Sequence, residues 1–332
     1  MERRLPLESS AGMTKKQDIK QYLKLLETIK NSRKEGNKEM AIPITKGKIA
    51  TAKKAVIYGP EGIGKSTLAA QFPEPVFIDT EDSTKELDVM RYPKPETWND
   101  IITYVNDFME AMPGKTLVID TADWAEQLCI AHTCSRLGVK GIEDVGYGKG
   151  YVYLSDDFTA LLRKCDDLIE QGVNVVFTAH AMMRKFEQPD EMGAYDRWEM
   201  KLTKKNAPIL KEWADMVLFC NYKTDVITDQ ATKSKKATGG KRVMYASHHP
   251  CWDAKNRYSL PDQMPMEFSQ IKQLFEGIEP KAKEPDYRSK LREFLSAMTK
   301  EQKAEIVNKY GINADTTNEQ YKAIFTELTG GI

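Results

Sequence analysis

Nine consecutive residues, Gly59-Pro60-Glu61-Gly62-Ile63-Gly64-Lys65-Ser66-Thr67, satisfy the pattern GxxxxGK[ST]. Their types suit one task, the holding of a chain of phosphates. Glycines let backbone N–H groups converge on phosphate oxygens, Lys65 reaches the β- and γ-phosphates, and the Ser66 hydroxyl can ligate Mg²⁺. The flanks agree: the apolar run Ala55 to Tyr58 reads as a strand before the pattern, and Leu68, Ala69, Ala70 and Gln71 continue a helix after it. Gly59 to Thr67 are therefore the expected contacts of a nucleoside triphosphate, taken as ATP. Such a site needs a metal-side carboxylate at the end of a neighbouring strand. Thr116-Leu117-Val118-Ile119-Asp120 is an apolar run that ends in one, so Asp120 joins Ser66 as an expected Mg²⁺ residue, acting through water.

Other groups of residues also carry chemistry. A second apolar run ends Phe77-Ile78-Asp79-Thr80-Glu81-Asp82, with three carboxylates that can act on water, and a third, Val175 to Ala179, ends in His180. Ala254-Lys255-Asn256-Arg257-Tyr258 sets a Lys and an Arg two apart, which places both on one side of an extended segment. Two stretches read as long irregular loops: Gly141 to Gly150, with Tyr147 and Lys149, and Ala181 to Ala207, with Arg184, Lys185, Phe186 and Arg197. Cations that track phosphates and rings that stack on bases suit sequence-tolerant binding of single-stranded nucleic acid. Against that, Glu187, Asp190, Glu191, Asp196 and Glu199 offset much of the charge, and Tyr195, Trp198 and Leu202 can equally fold back on a core. Cys129, His132 and Cys134 share one predicted helix, but spacings of three and two do not face one tetrahedral centre, so a buried helix face explains them. His248 and Cys251 are read the same way.

The elements that must position these groups alternate. Apolar runs at Ala55 to Tyr58, Val76 to Asp79, Thr116 to Asp120, Val173 to Ala179, Met216 to Cys220 and Arg242 to Ser247 are separated by helical patterns, including Trp98 to Met112, Trp124 to Leu137 and Tyr151 to Gln171. Continuous apolar strands between helices mean a mostly parallel sheet buried on both faces, an α/β fold. The core is expected over residues 50–278, after a basic extension, 1–49, with one amphipathic helix from Gln17 to Asn31. Residues 279–286 read as a linker and 287–332 as three short helices: Tyr287 to Met298, Lys300 to Tyr310 and Asn318 to Thr329. Met40 is an alternative start.

With 332 residues, 41% hydrophobic and 30% charged, the chain is too apolar for disorder and long enough for one main core. No run approaches the roughly 18 unbroken apolar residues of a spanning helix, and no apolar segment follows Arg3 and Arg4, so a cytoplasmic protein without a membrane partner is expected. Five scattered cysteines without a CxxC pair argue against a disulfide framework. Basic and acidic residues balance at 49 each, yet residues 1–54 hold 14 basic and 6 acidic side chains. That arm reads as a solvated tail, with polyanion contact as the alternative.

The run Phe77-Ile78-Asp79-Thr80-Glu81 resembles the RecA family, in which the strand after the phosphate-loop (Walker A) helix ends in a similar carboxylate run whose Glu is the catalytic base. The resemblance implies that Glu81 activates water, with Asp79 and Asp82 as alternatives. It also implies that His180 stands where RecA-like enzymes sense the γ-phosphate. The AKNRY run is similar to segments of DnaB-type helicases and bacterial RadA that reach a neighbouring subunit's ATP. By that likeness Lys255 and Arg257 act in trans and the active form is a homo-oligomer, ring or filament. RecA-like proteins use two loops on single-stranded DNA, which implies that role for Tyr147, Lys149, Arg184, Lys185, Phe186 and Arg197. The set GPEGIGKST, FIDTE, LVIDTADW, YGKGY, TAH and AKNRYSLP resembles phage AAA-type, RecA-core ATPases, including Sak-type single-strand annealing proteins. What this implies is a Mg²⁺-dependent ATPase that binds single-stranded DNA and assists annealing or recombination, with a single-strand-binding protein as a further candidate partner and the host cytoplasm as its place. A P-loop kinase acting on a small acceptor and a nucleotide-switched scaffold are the rival readings.

Overall fold

The computed structural model describes residues 45–47, 49–187, 193–228, 235–277, 279–280, 286–296, 298–313 and 315–329. Contacts divide the chain between Ile49 and Ala50, and the fold described is that of the second part. The helix expected over Gln17 to Asn31, and Met40, lie outside the described residues.

The continuous apolar runs form the strands that their composition predicts. β1 (Lys54–Gly59), β2 (Pro75–Asp79), β4 (Thr116–Asp120), β5 (Asn174–Phe186) and β7 (Met216–Thr228), with the short β3 (Met90–Arg91), run parallel in the order β3-β2-β4-β5-β1-β7. Alternate side chains of β1 feed two different cores, because successive residues of a strand point to opposite faces. Val56 and Tyr58 pack with α2 (Trp98–Ala111), α3 (Ala122–Leu137) and α4 (Lys149–Glu170), through Ile101, Phe108, Ala125 and Phe158. Ala55 and Ile57 pack instead with α1 (Lys65–Ala69) and the chain from Leu260 to Phe275. There Phe72 meets Phe268 and Phe275 at ring-centroid distances of 4.9 and 4.8 Å. Burial on both faces is what the unbroken runs of Val, Ile, Leu and Phe require.

The chain departs from the sequence reading in three places. The segment read as an irregular loop from Ala181 to Ala207 is largely ordered: β5 continues to Phe186, β6 (Tyr195–Met200) returns antiparallel to it, and α5 (Asn206–Trp213) follows. Likewise β7 runs past Cys220 and pairs antiparallel with β8 (Lys235–Tyr245), which in turn pairs with β10 (Gln263–Pro265), so one side of the sheet is antiparallel. In both hairpins charged and polar residues break up the apolar ones, so no continuous hydrophobic run announces them. The stretch Gly141 to Gly150 contains two short 3₁₀ turns, Ile142–Asp144 and Gly146–Gly148, before α4. At the C-terminus, α6 (Tyr287–Ser296), α7 (Lys300–Tyr310) and α8 (Asn318–Thr329) form as expected, with Leu291, Tyr321 and Ile324 as a small core.

Candidate active site

The register brings the candidate residues to one edge. Gly59 at the end of β1 lies opposite His180 of β5, and Asp79 of β2 opposite Asp120 of β4, with β5 between β1 and β4. Parallel strands therefore deliver the phosphate loop, His180, Asp120 and the Asp79 to Glu81 turn to the carboxyl edge of the sheet, where open α/β sheets bind ligands.

Within the loop, glycine is needed at two positions for different reasons. A Cβ on Gly59 would come within 2.3 Å of the Cys220 carbonyl oxygen on the adjoining strand. Gly64 caps α1 with φ of +100°, in the left-handed region that side chains disfavour. Lys65 is 6% exposed and its Nζ donates to the carbonyls of Gly59 and Pro60 at 3.3 and 3.2 Å. Burial pushes this ammonium below the ordinary lysine range, and Asp120, Asp123 and Glu81 pull it back, so the three carboxylates converge on the lysine's field.

Asp120 is wholly buried, and its Oδ1 accepts from the Thr178 hydroxyl. Its Oδ2 is buried without a hydrogen bond, although the Ser66 hydroxyl is near the carboxylate. Burial raises this carboxyl above its ordinary range, while the Thr178 and Ser66 hydroxyls pull the other way. A buried carboxylate oxygen without a donor, beside a hydroxyl, is a set of hard oxygen ligands that fits Mg²⁺.

The three acidic candidates at the end of β2 differ in what they do. Asp79 accepts from the Glu81 and Thr84 backbone N–H groups and from the Thr84 hydroxyl, so it shapes the turn. Asp82 is exposed and pairs with Lys85 at 2.5 Å. Glu81 alone reaches the neighbouring strand ends: its Oε1 accepts from the Thr121 hydroxyl at 2.7 Å and lies 3.5 Å from His180 Nδ1. Burial raises the Glu81 carboxyl above the usual range, opposed by the Thr121 hydrogen bond and then by His180. Thr80 clasps the two strand ends together: its N–H and hydroxyl donate to the Asp120 carbonyl, and its Oγ1 accepts from the Thr121 N–H at 2.8 Å.

His180 is 8% exposed, and Asp123, in the first turn of α3, holds it twice. Asp123, Thr121 and Arg242 were not singled out from the sequence. An Asp in a first helical turn reads as a complement to the helix dipole, and its spacing of three from Asp120 is the signal that places it at the same edge. Arg242 comes from β8: its Nη1 donates to the Ile63 carbonyl at 3.3 Å and lies 2.7 Å from where a Gly64 Cβ would be.

Lys255 and Arg257 lie elsewhere. β9 (Lys255–Asn256) pairs with Met216 and Val217, which align with Ala55 and Val56, so these cations sit at the amino end of β1, away from their own phosphate loop. Lys255 donates to the carbonyls of Lys211 and Glu212 near the end of α5, and Arg257, with its side chain 59% exposed, pairs with Asp215 at 2.9 Å.

Of the nucleic-acid candidates, Tyr147 and Lys149 are exposed, and Arg184 and Lys185 lie on the β5–β6 hairpin. The two loop regions meet: Gly148, Tyr151, Arg184, Thr203, Lys204 and Lys205 line one cavity of about 480 Å³. Arg184, Lys185 and Phe186 also line a neighbouring cavity of about 410 Å³. Arg197 differs from the others: it is 7% exposed and pairs with Asp253, and its guanidinium lies 4.8 Å from the Phe186 ring centroid. Glu126, whose carboxyl burial raises above the ordinary range, ties this region to α3 by accepting from Thr203 and Asn206.

A phosphate loop at the carboxyl edge of a mostly parallel sheet, with strand-end carboxylates two and three strands away, defines an α/β P-loop nucleotide-binding domain. A family model described as an AAA domain (AAA_24) matches residues 51–258, and the chain belongs to that family. Solved structures similar to the chain include a KaiC-like protein from Pyrococcus horikoshii OT3, at 15% identity and a TM-score of 0.32, covering 67% of this chain and 94% of that one. The flagellar accessory protein FlaH from Methanocaldococcus jannaschii is similar at 12% identity and a TM-score of 0.30, over 60% of this chain and 79% of that one. No match is found among curated proteins. Among the described residues, no helix is long and apolar enough to cross a membrane.

Proposed function

We propose that the protein is a Mg²⁺-dependent ATP hydrolase that works as a homo-oligomer on single-stranded DNA, in annealing or recombination, and that it is of phage origin. The observation that carries the hydrolytic reading is the Glu81 carboxylate, set beside Thr121 and His180 at the same edge as the phosphate loop. In this reading the loop amides and Lys65 hold the phosphates. Glu81 accepts a proton from water while the water oxygen bonds to the γ-phosphorus and the bond to the bridging oxygen breaks. Ser66 and Asp120 would hold Mg²⁺, which when bound neutralises charge on the β- and γ-oxygens. Burial of Glu81 supports a base role, since a carboxylate of raised basicity takes a proton more readily.

The position of Lys255 and Arg257 at the far end of β1 from their own loop supports use by a neighbouring copy. Exposed Tyr147, Lys149 and Lys185, and the cavity that joins the two loop regions, support contact with a single strand. Steady-state phosphate release with and without single-stranded DNA tests the whole reading. The expected result is hydrolysis that the strand stimulates and that Lys65→Ala abolishes. Phosphoryl transfer to a small acceptor, with no response to DNA, would favour a kinase instead.

A further inference from the structure

Glu81, Asp123 and His180 offer ligand atoms that all lie within 4.8 Å of one another, from three separate segments. Asp123 spends both carboxylate oxygens on one residue: Oδ1 accepts from the His180 backbone N–H at 3.0 Å, and Oδ2 faces the ring Nδ1 at 2.9 Å. A carboxylate accepts only, so Nδ1 carries the proton and Nε2 is the ring nitrogen left for a ligand. A favourable charge at the start of α3 would need no burial, yet Asp123 is 4% exposed and turned toward β5. The helix dipole alone therefore does not account for it.

We propose that Asp123 is a positioning residue of the hydrolytic site. It holds the His180 imidazole in one tautomer and one orientation, so that Nε2 accepts a hydrogen bond from the attacking water while Nδ1 stays against the Asp123 carboxylate, 3.5 Å from Glu81. This rests on Glu81 being the base. With Glu81 taking one hydrogen of that water and Nε2 accepting the other, the water oxygen is left to face the γ-phosphorus. Asn at position 123 keeps an acceptor for the backbone N–H, but its amide N–H₂ faces Nδ1 and drives the ring to the Nε2–H tautomer.

The chain has four histidines, so ¹⁵N imidazole spectra of the full-length protein are simple, and His180→Asn identifies the His180 signals by their loss. In Asp123→Asn those signals are expected to switch tautomer. Turnover should fall roughly 10² to 10⁴-fold, the scale of a wrong-tautomer histidine in another hydrolase, with ATP affinity changed only a few-fold. Combining Asp123→Asn with His180→Asn should lower turnover no further than His180→Asn alone, because both act through one ring. Parental turnover in Asp123→Asn, additive losses in the double variant, or an unchanged tautomer would each overturn the proposal. If the parent releases no phosphate, the reading of Glu81 fails instead, and the tautomer measurement still decides whether Asp123 sets the ring.

Discussion

At the carboxyl edge, Lys65, Asp120 and Asp123 are 6%, 0% and 4% exposed, whereas Lys185, Lys204 and Lys205 around the hairpin cavities are exposed. The first region gathers charge under desolvation, which raises the Glu81 and Asp120 carboxyls against the Thr121 and Thr178 hydrogen bonds, while the bonds from His180 outweigh burial at Asp123. The second keeps its cations in water, where each is weakly coupled to its neighbours and replaceable. Substitutions at the buried edge should therefore act singly and sharply, and those at the cavity gradually and with a dependence on salt. Arg257, exposed yet proposed to serve a buried site in another copy, is the sharpest test of that division.

Arg257→Ala is expected to lower turnover roughly 10³-fold, the low end for a trans-acting cation. Its own fold should change by about 1 kcal/mol, since the Arg257 side of the Asp215 pair is largely exposed. Mixing with Lys65→Ala subunits, which carry an intact Arg257, should restore phosphate release; mixtures no more active than either parent would break the comparison. Arg197→Ala removes a buried guanidinium but leaves Asp253 paired with Lys211, so it should destabilise the protein by about 2 kcal/mol in denaturant melts, with nucleotide affinity unchanged. A melt like the parent's would return Arg197 to the surface set.

The charge reversals Arg184→Glu and Lys205→Glu should reduce the salt slope of single-strand binding by roughly 0.7 for each phosphate no longer neutralised. A slope equal to the parent's would remove the cavity from the interface. The smallest effects concern stability and pH. Asp120 holds its proton more tightly folded than unfolded, so its contribution is full below the unfolded pKa and is lost as pH rises through the folded one. Asp123 is the reverse: burial alone would raise it, but the His180 ring and amide outweigh burial, so its contribution is present above the unfolded pKa and lost as pH falls through the folded one. Asp120→Asn should therefore melt above the parent near neutral pH and Asp123→Asn below it, with both gaps closing in acid; melts displaced to the same side would contradict this.

Much of the buried edge was legible in the sequence because parallel strands covered on both faces are written as unbroken apolar runs. The phosphate-loop pattern and Asp120 each stand at the end of one. Glu81 came from a resemblance that left Asp79 and Asp82 open, and it is hydrogen bonding that separates them: Asp79 closes its own turn, Asp82 faces solvent, and Glu81 faces Thr121. The hairpins were not legible, since Met182 to Phe186 and Asn221 to Thr228 show neither an unbroken apolar run nor a period of two, and nothing local distinguishes them from loops. Asp123 and Arg242 matter through hydrogen bonds with residues 57 and 179 positions away, which no local pattern encodes.

Glu81 is proposed to activate water rather than to bind nucleotide. Phosphate release and fluorescent-nucleotide affinity measured side by side for the parent and Glu81→Gln test it most directly. Release should fall at least about 100-fold, the usual scale of a general base, while affinity stays within a few-fold. Release at the parental rate, or a loss of turnover fully matched by a loss of affinity, would contradict it.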